Sequence, residues 1–212
     1  MTTAFETSED GHEKTFQTNV LSPYLLPLLL RPSLERSSAP RVTVVSSAMS
    51  FYAATNGKAF QDESGDYAQI LDDKANFSGA IRYNDSKLLE IMLARQFAKH
   101  FPLQKVTWTT VDPGFCMSSL DRNLPTIVYP LALAMRWLFG RTTELGSRNL
   151  LWASIAGKQE HVDGRGTYVS SCAAVETNPF LQTDKGKRAE ERIYEQTVRI
   201  FKEVTPEAAA GL

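Results

Sequence analysis

The sequence has 212 residues, of which 42% are hydrophobic and 22% are charged, enough to bury one sizeable core. Its formal net charge of −1 excludes the strongly basic surface typical of nucleic-acid-binding proteins. Two well-separated cysteines, Cys116 and Cys172, argue against a disulfide framework and favour a reducing, cytoplasmic environment. Residues 1–14 are polar and acidic, unlike a signal peptide. The longest apolar stretches, 21–30 and 126–139, are shorter than the ~20 residues that cross a bilayer, so we expect no membrane span.

The first two predicted elements are a helix and a strand. Residues 13–30 favour a helix, but Pro23 and Pro27 fall inside it. Because an internal proline removes a backbone hydrogen bond and can cost ~3 kcal/mol, we expect a bend or an interruption there. Residues 40–47 form a short β-branched run that ends in hydroxyls and predicts a buried parallel strand. We expect the helix to pack on this strand or against its twin in a dimer.

A long insertion separates this strand from the next helix. Residues 51–79 are polar and contain several acids, which predicts a loop or a short helix over the functional site. Residues 83–101 carry apolar side chains with helical spacing and predict a mostly buried helix, which Pro102 ends. Residues 105–114 predict a second strand closed by a Pro-Gly turn. Strand, helix and strand predict a right-handed βαβ unit, whose ligands bind at the carboxyl ends of the strands.

The rest of the chain predicts three helices and one strand. The helices cover residues 126–139, with Trp137 packed in the core, residues 142–156, ending at Gly157, and residues 187–204. Residues 166–172 predict a strand beside residues 105–114. In the last helix Ile193, Thr197, Ile200, Phe201 and Val204 share the packed face, whereas Lys187, Arg188, Glu190, Glu191 and Arg192 are interpreted as a solvated face. Gly164-Arg165-Gly166 is interpreted as a turn, and the three histidines show no metal-ligand spacing.

The most informative motif is Tyr83-Asn84-Asp85-Ser86-Lys87 at the start of the second helix. Tyr and Lys four residues apart lie on the same helix face. An ammonium beside a phenol stabilises the phenolate, so the pattern predicts a Tyr83 pKa lowered from about 10 towards neutrality. Such a hydroxyl can give or take a proton during carbonyl reduction or alcohol oxidation.

With its flanking motifs the sequence resembles the short-chain dehydrogenase/reductase family, in its retinol-dehydrogenase-like branch. The ordered matches are residues 7–11 (Thr-Ser-Glu-Asp-Gly), 16–19 (Phe-Gln-Thr-Asn), 42–47 (Val-Thr-Val-Val-Ser-Ser), 83–87 and Pro113-Gly114. The resemblance implies an α/β, Rossmann-like parallel sheet with flanking helices, missing its first strands. Residues 1–212 would form a single domain that corresponds to the C-terminal two-thirds of the family fold. The family's Thr-Gly-x-x-x-Gly-x-Gly turn is absent from the sequence.

The resemblance also implies roles for individual residues. Tyr83 would exchange the proton with the substrate oxygen, and Lys87 would lower its pKa and bind the nicotinamide ribose. Ser47 would hydrogen-bond the substrate oxygen, although Ser46 competes for this role. Asn19 would order a water that links Lys87 to solvent, or would simply be a helix residue.

The same resemblance implies a cofactor, NADP or NAD, and a hydrophobic alcohol or carbonyl substrate, as in secondary metabolism. The segment containing Pro113, Gly114, Cys116 and Ser118 would line the nicotinamide. Cys116 is alternatively a reactive thiol or a small packing residue. Family dimers bury the helices that hold Asn19 and Tyr83 against their twins, so a homodimer is expected by analogy. Two other readings stay open: an inactive truncated paralogue, and a partner that completes the sheet of another subunit through the edge at residues 41–47.

Overall fold

The computed structural model describes residues 4–103, 105–116, 137, 140–156 and 165–212. Within them, one sheet has the order β1-β2-β3-β4. Its strands are β1 (Arg41–Val45), β2 (Thr107–Asp112), β3 (Arg165–Ser170) and β4 (Ala173–Ala174). The first three strands are parallel, and β4 returns antiparallel beside β3. The α/β fold with a mostly parallel, helix-flanked sheet is therefore confirmed, and β1, β2 and β3 lie in the three predicted strand segments.

The helices of the described residues surround this sheet. They are α1 (Lys14–Phe16), α2 (Ser22–Leu29), α3 (Arg31–Arg36), α4 (Lys58–Gln61), α5 (Tyr67–Asp72), α6 (Gly79–His100), α7 (Thr143–Leu151) and α8 (Asp184–Val204). The long helix α6 connects β1 to β2 as the predicted βαβ unit requires. From Arg82 to Phe97 every residue of α6 except Arg95 is buried, so α6 is the centre of the molecule.

The first helical segment is interrupted, as the two prolines predict. Between α1 and α2 the chain makes a π-helical turn over residues 17–21, in which the Ser22 N–H bonds to the Gln17 carbonyl. Pro23 follows directly, and it lacks the N–H that would continue an α-helical ladder. A second break occurs at Leu30, before α3 begins. The interruption therefore consists of a π turn and a terminal break, with Pro27 retained inside α2.

Aromatic side chains fix α2 against the sheet. The Tyr24 ring stacks on that of Trp108 in β2, with their centroids 6.0 Å apart. Phe97 of α6 contacts both rings, with centroid distances of 5.2 Å and 5.4 Å. The Tyr24 hydroxyl donates a hydrogen bond to the Glu90 carbonyl. Since all of these side chains are fully buried, this face of α2 belongs to the core.

The insertion after β1 folds into short helices, which is the second of the two predicted alternatives, a loop or a short helix. It contains 3₁₀ turns at Ala48–Tyr52 and Lys74–Asn76 as well as α4 and α5. Phe60, Tyr67 and Leu71 are each at most 2% exposed. The Tyr67 hydroxyl lies 2.6 Å from the Thr197 hydroxyl of α8. These large apolar side chains, diluted among polar ones in the sequence, anchor the insertion to the core.

Helix α8 has the predicted position, but two of its side chains differ from the prediction. Glu190 is 2% exposed and forms an ion pair with Arg95 at 3.2 Å, so it does not belong to a solvated face. Val204 is 66% exposed because it is the last residue of the helix and extends beyond the core. Burial of Glu190 is possible because Gln96 of α6 also donates a hydrogen bond to its carboxylate at 2.6 Å.

Several predictions concern residues around the undescribed segments. Helix α7 and a π-helical turn, Trp152–Ala156, occupy the predicted helix 142–156, but its predicted end at Gly157 lies outside the described residues. Most of the predicted helix 126–139 also lies outside them, and Trp137 is 80% exposed rather than packed in the core. No helix in the described ranges combines the length and the apolarity needed to cross a membrane.

Gly166 belongs to β3, as the predicted strand at residues 166–172 requires and unlike its interpretation as part of a turn, while Gly164 lies outside the described residues. Its backbone has a φ of +79°, and a Cβ atom there would lie 2.5 Å from the backbone of Arg95. Glycine is required at this position because β3 crosses α6 at closest approach here.

Candidate active site

The candidate site lies at the carboxyl ends of β1 and β2, beside the N-terminal half of α6. Ser46 fixes this arrangement, because its backbone N–H donates to the Val111 carbonyl at 2.8 Å and its hydroxyl donates to the Lys87 carbonyl at 2.9 Å. The end of β1 is thereby attached to the next strand and to the helix. This is the edge at which parallel α/β sheets bind their ligands.

Tyr83 and Lys87 lie side by side on α6. The Lys87 Nζ atom is 5.5 Å from the centroid of the Tyr83 ring, and both residues are more than nine-tenths buried. The Ser47 side chain is near enough to the Tyr83 phenol to lower its pKa, while its hydroxyl accepts a hydrogen bond from the Met49 N–H at 3.2 Å. Ser46 instead faces the helix backbone, because successive side chains of an extended segment point in opposite directions.

The pKa of Tyr83 is raised from its ordinary value, which corrects the prediction of a lowered pKa. Burial is the largest cause, since it disfavours the charged phenolate. The Lys87 ammonium and the Ser47 hydroxyl lower the pKa of Tyr83, whereas the negative charges of Glu90 and Asp112 raise it. The predicted effect of Lys87 is therefore present, but desolvation and two carboxylates outweigh it.

Glu90 is a site residue that sequence reasoning missed. Its Oε1 atom lies 2.8 Å from Lys87 Nζ, which also donates to the Val45 carbonyl at 2.9 Å. The second carboxylate oxygen, Oε2, is buried without a hydrogen-bond partner. Burial raises the pKa of Glu90 to about 7, against the opposing effects of Lys87 and Ser46. The available signal was a carboxylate three residues after the lysine on a helix.

Asn19 contacts the motif through Ser86 rather than through Lys87. Its Nδ2 atom donates to the Ser86 hydroxyl at 3.0 Å, and that hydroxyl donates to the Tyr83 carbonyl at 2.7 Å. Asn19 lies in the π-helical turn, which directs it towards α6. It nevertheless lines the same groove as Lys87 and Glu90.

This groove has a volume of about 420 Å³ and follows the outer side of β1. Its walls are the backbone and side chains of β1 on one side and α2 with the start of α3 on the other. Lys87 and Glu90 also line this groove. The groove therefore gives solvent a route towards the two buried charges.

The loop after β2 is held by Asp112, another residue that sequence reasoning did not assign. Its Oδ1 atom accepts a hydrogen bond from the Gly114 N–H at 3.0 Å, and its Oδ2 atom accepts one from Ser170 at 3.2 Å. Asn149 of α7 donates to the Asp112 carbonyl at 3.3 Å. Gly114 has a φ of +80°, a conformation that favours glycine. The Pro113-Gly114 turn is thus tied to β3 and to α7.

Cys116 lies in the same loop, where its thiol donates to the Pro113 carbonyl at 3.3 Å. Burial raises the pKa of this thiol, although Arg141 opposes the effect. A raised pKa reduces the thiolate fraction near neutrality and therefore favours packing over reactivity. Ser118, the other residue expected to line the nicotinamide, lies outside the described residues.

Comparison with known proteins gives relatives but no match to any protein-family model. The short chain dehydrogenase/reductase dmxR8 of Cryptosporiopsis sp. (strain 8999) is 32% identical over 96% of this chain and 62% of its own length. The short-chain dehydrogenase anuD of Penicillium roqueforti (strain FM164) is 31% identical over 93% of this chain and 53% of its length. Retinol dehydrogenase 14 of Homo sapiens is 29% identical over 92% of this chain and 55% of its length.

The chain thus spans between 53% and 62% of the length of these three relatives. Conversely, each alignment covers more than nine-tenths of this chain. Together with the helix-flanked parallel sheet, this shows that the chain is a homologue of the short-chain dehydrogenases/reductases.

Proposed function

We propose that the protein is an NAD(P)-dependent oxidoreductase that interconverts a hydrophobic alcohol and the corresponding ketone or aldehyde. The observation that carries the proposal is the convergence of Ser47, Tyr83 and Lys87 at the carboxyl edge of the sheet. Tyr83 and Lys87 are neighbours on α6, and the fold brings Ser47, from the end of β1, to the same place. The named relatives support the reaction class.

In the proposed reaction Tyr83 moves the proton. During reduction its hydroxyl donates a proton to the carbonyl oxygen, and during oxidation its phenolate accepts one from the alcohol. The Ser47 hydroxyl donates a hydrogen bond to the same oxygen and stabilises negative charge that develops there. The Lys87 ammonium stabilises the phenolate whenever Tyr83 has lost its proton.

The donor set of Lys87 fits a nicotinamide cofactor. An ammonium has three N–H donors, and Lys87 uses two of them for Val45 and Glu90, which leaves one for a ribose hydroxyl. Tyr83 and Lys87, with the loop at Pro113, Gly114 and Cys116, would hold the nicotinamide end. The cofactor, when bound, supplies or accepts the hydride. We propose NADP or NAD without a preference.

Exposed apolar side chains next to the site support a hydrophobic substrate. Met49, Phe51 and Tyr52 follow Ser47 directly and are 39%, 42% and 71% exposed. Phe115 follows Gly114 and is 50% exposed. Apolar surface at the mouth of a site favours apolar ligands. The two fungal relatives are consistent with a place in secondary metabolism, which we include in the proposal.

The test is the Tyr83→Phe variant, assayed for NADPH- and NADH-dependent reduction of hydrophobic ketones and aldehydes. Loss of the phenolic proton should lower turnover by about 10²- to 10⁴-fold, as expected for a general acid. Tyr52→Phe is the matched control, because Tyr52 is close in the fold but 71% exposed. Turnover that survives Tyr83→Phe would remove the proposed mechanism.

A second candidate function is supported by the outer edge of β1. Only β2 pairs with β1 among the described residues, and the bonds made by the Pro40 carbonyl and the Ser46 N–H show which backbone groups face β2. By alternation, those of Arg41 and Thr43 face the groove. Such an edge accepts a further strand, so the chain could complete the sheet of a full-length relative. Co-purification of the two proteins tests this function.

A further inference from the structure

The inference concerns Glu90 and rests on the proposed function. Glu90 and Lys87 are three residues apart on α6 and form an ion pair, with 2.8 Å between Glu90 Oε1 and Lys87 Nζ. Their side chains are 2% and 10% exposed, so their charges interact with little screening by solvent. Among the described residues Glu90 is the only carboxylate that pairs with Lys87.

Two hydrogen-bond acceptors fix the position of the Lys87 ammonium. The ammonium donates to Glu90 Oε1 and to the carbonyl of Val45, the last residue of β1. These two acceptors hold Nζ over the face of the Tyr83 ring, 5.5 Å from its centroid. The ammonium therefore stabilises the phenolate less than it would if it contacted the phenol oxygen directly.

We propose that Glu90 is a positioning residue whose carboxylate holds the Lys87 ammonium and thereby limits how strongly that ammonium stabilises the Tyr83 phenolate. Glu90 acts on the pKa of Tyr83 in two ways, and both raise it. It draws the positive charge towards itself, and its own negative charge raises the pKa of Tyr83. The Oε2 atom of Glu90 is buried without a hydrogen-bond partner. The position of the carboxylate is therefore explained by its pairing with Lys87 and not by the satisfaction of both of its oxygens.

The other groups around the pair do not replace Glu90. Ser46, at the end of β1, lowers the pKa of Glu90, but its hydroxyl donates to the Lys87 carbonyl. Tyr24 of α2 donates to the Glu90 carbonyl, and the negative charge of Glu90 helps to keep this phenol protonated. Asp112 of β2 acts on Tyr83 in the same direction as Glu90, but its carboxylate is occupied by Gly114 and Ser170.

The experiment measures the pH at which Tyr83 loses its proton in the folded 212-residue chain. Tyrosines are labelled with ¹³C at the ring carbon bearing the hydroxyl, and the Tyr83 resonance is assigned by its loss in Tyr83→Phe. In Glu90→Gln the resonance should titrate at lower pH than in the parent, because one negative charge is removed and the ammonium is released towards the phenol. Neither cofactor binding nor turnover is needed for this measurement.

Glu190→Gln is the matched control, since Glu190 is an equally buried carboxylate in an ion pair at the other end of α6. It should leave the titration of Tyr83 unchanged. If Glu90→Gln does not fold, Glu90→Asp is used: it retains the charge but is too short to hold Nζ, and a smaller shift in the same direction is expected. An unchanged Tyr83 titration in a folded Glu90 variant, or an equal shift in Glu190→Gln, overturns the proposal.

Turnover separates this inference from the proposed function. The alkaline limb of the pH profile of kcat for ketone reduction should move to lower pH in Glu90→Gln, because the acid form of Tyr83 is lost earlier. If Tyr83→Phe abolishes turnover while Glu90→Gln leaves both titration and pH profile unchanged, only the role of Glu90 fails. If Glu90→Gln shifts the titration but Tyr83→Phe retains turnover, only the proposed function fails.

Discussion

Asp85 lies between Tyr83 and Lys87 in the sequence, but its carboxyl faces a different neighbour. Its Oδ1 atom accepts a hydrogen bond from the Ala54 N–H at 2.7 Å, which attaches the insertion to α6. Burial raises the pKa of Asp85 to about 6, although the Ala54 hydrogen bond and Arg82 oppose the effect. Residues two positions apart lie on nearly opposite faces of an α-helix. Asp85 therefore faces the insertion and not the Tyr83 side of α6.

This pKa makes a prediction for stability against pH. The unfolded carboxyl has a pKa of about 3.9, so between about pH 4 and pH 6 the folded state binds more protons than the unfolded state. The free energy of unfolding should therefore fall as pH rises through this window, by up to ~3 kcal/mol from Asp85. Asp85→Asn keeps an acceptor for Ala54 and should remove this part of the fall.

Urea denaturation at several pH values measures the effect as the difference between parent and variant. Asp62→Asn is the control with the opposite sign, because hydrogen bonds from Ser64 lower the pKa of the half-buried Asp62. A parent and an Asp85→Asn variant that show the same pH dependence would contradict the assignment of a raised pKa to Asp85.

At the scale of elements, α7 packs directly on the loop that follows β2. A Cβ atom at Gly146 of α7 would lie 2.2 Å from Cys116 Sγ and 3.4 Å from the Pro113 carbonyl oxygen. Glycine in a helix interior normally costs about 1 kcal/mol relative to alanine. Its presence in α7 is explained by the close approach of the helix to the Pro-Gly loop, which carries residues proposed to hold the cofactor.

The Gly146→Ala variant should therefore lower the free energy of unfolding by about 1–3 kcal/mol through overpacking, despite the better helix propensity of alanine. Cys116→Ala removes the sulfur that the new methyl group would meet. The double variant should recover most of the stability that Gly146→Ala loses. The coupling free energy from a double-mutant cycle should therefore be stabilising, whereas Gly146→Ala alone is destabilising. Additive effects in this cycle, measured by denaturant unfolding, would show that Cys116 is not the obstacle.

At the scale of the whole molecule, the described surface exposes more large apolar side chains on one side than on the other. Helix α6 is enclosed by the chain itself, so the expected dimer through α6 has little apolar surface to bury, and Ile81 is its one large apolar side chain described as exposed. The side at β1 and α2 differs. Leu26, Leu29, Leu30 and Val45 there are between 45% and 54% exposed.

We therefore expect any self-association to use the β1 side. Thr43→Pro removes an outward-facing N–H from the edge without touching the bonds to β2, and proline is tolerated on edge strands. Sedimentation over a range of concentrations should show weaker association in this variant than in the parent. Ile81→Lys, on the exposed start of α6, should associate like the parent, and the reverse ranking would favour a dimer through α6.

Local pattern was sufficient for the elements that depend on neighbours along the chain. The helical spacing of apolar residues in α6, the β-branched runs of β1 and β2, and the i,i+4 pairing of Tyr83 with Lys87 are all set by backbone geometry, and each is present in the structure. The proline interruption is equally local, and it lies where missing N–H groups require it. The resemblance to the short-chain dehydrogenases/reductases rested on the same ordered motifs.

Only the tertiary structure decided the properties that depend on residues distant in sequence, namely pKa directions and the burial of individual side chains. The direction of the Tyr83 pKa follows from total burial and from Glu90 and Asp112, and desolvation depends on every element that covers the site. The apolar side chains of the insertion are buried because α8 packs beside them. Glu190 is buried because Arg95 forms an ion pair with it. Spacing along one helix fixes which side chains are neighbours, whereas the free energy of a charge depends on the whole volume around it.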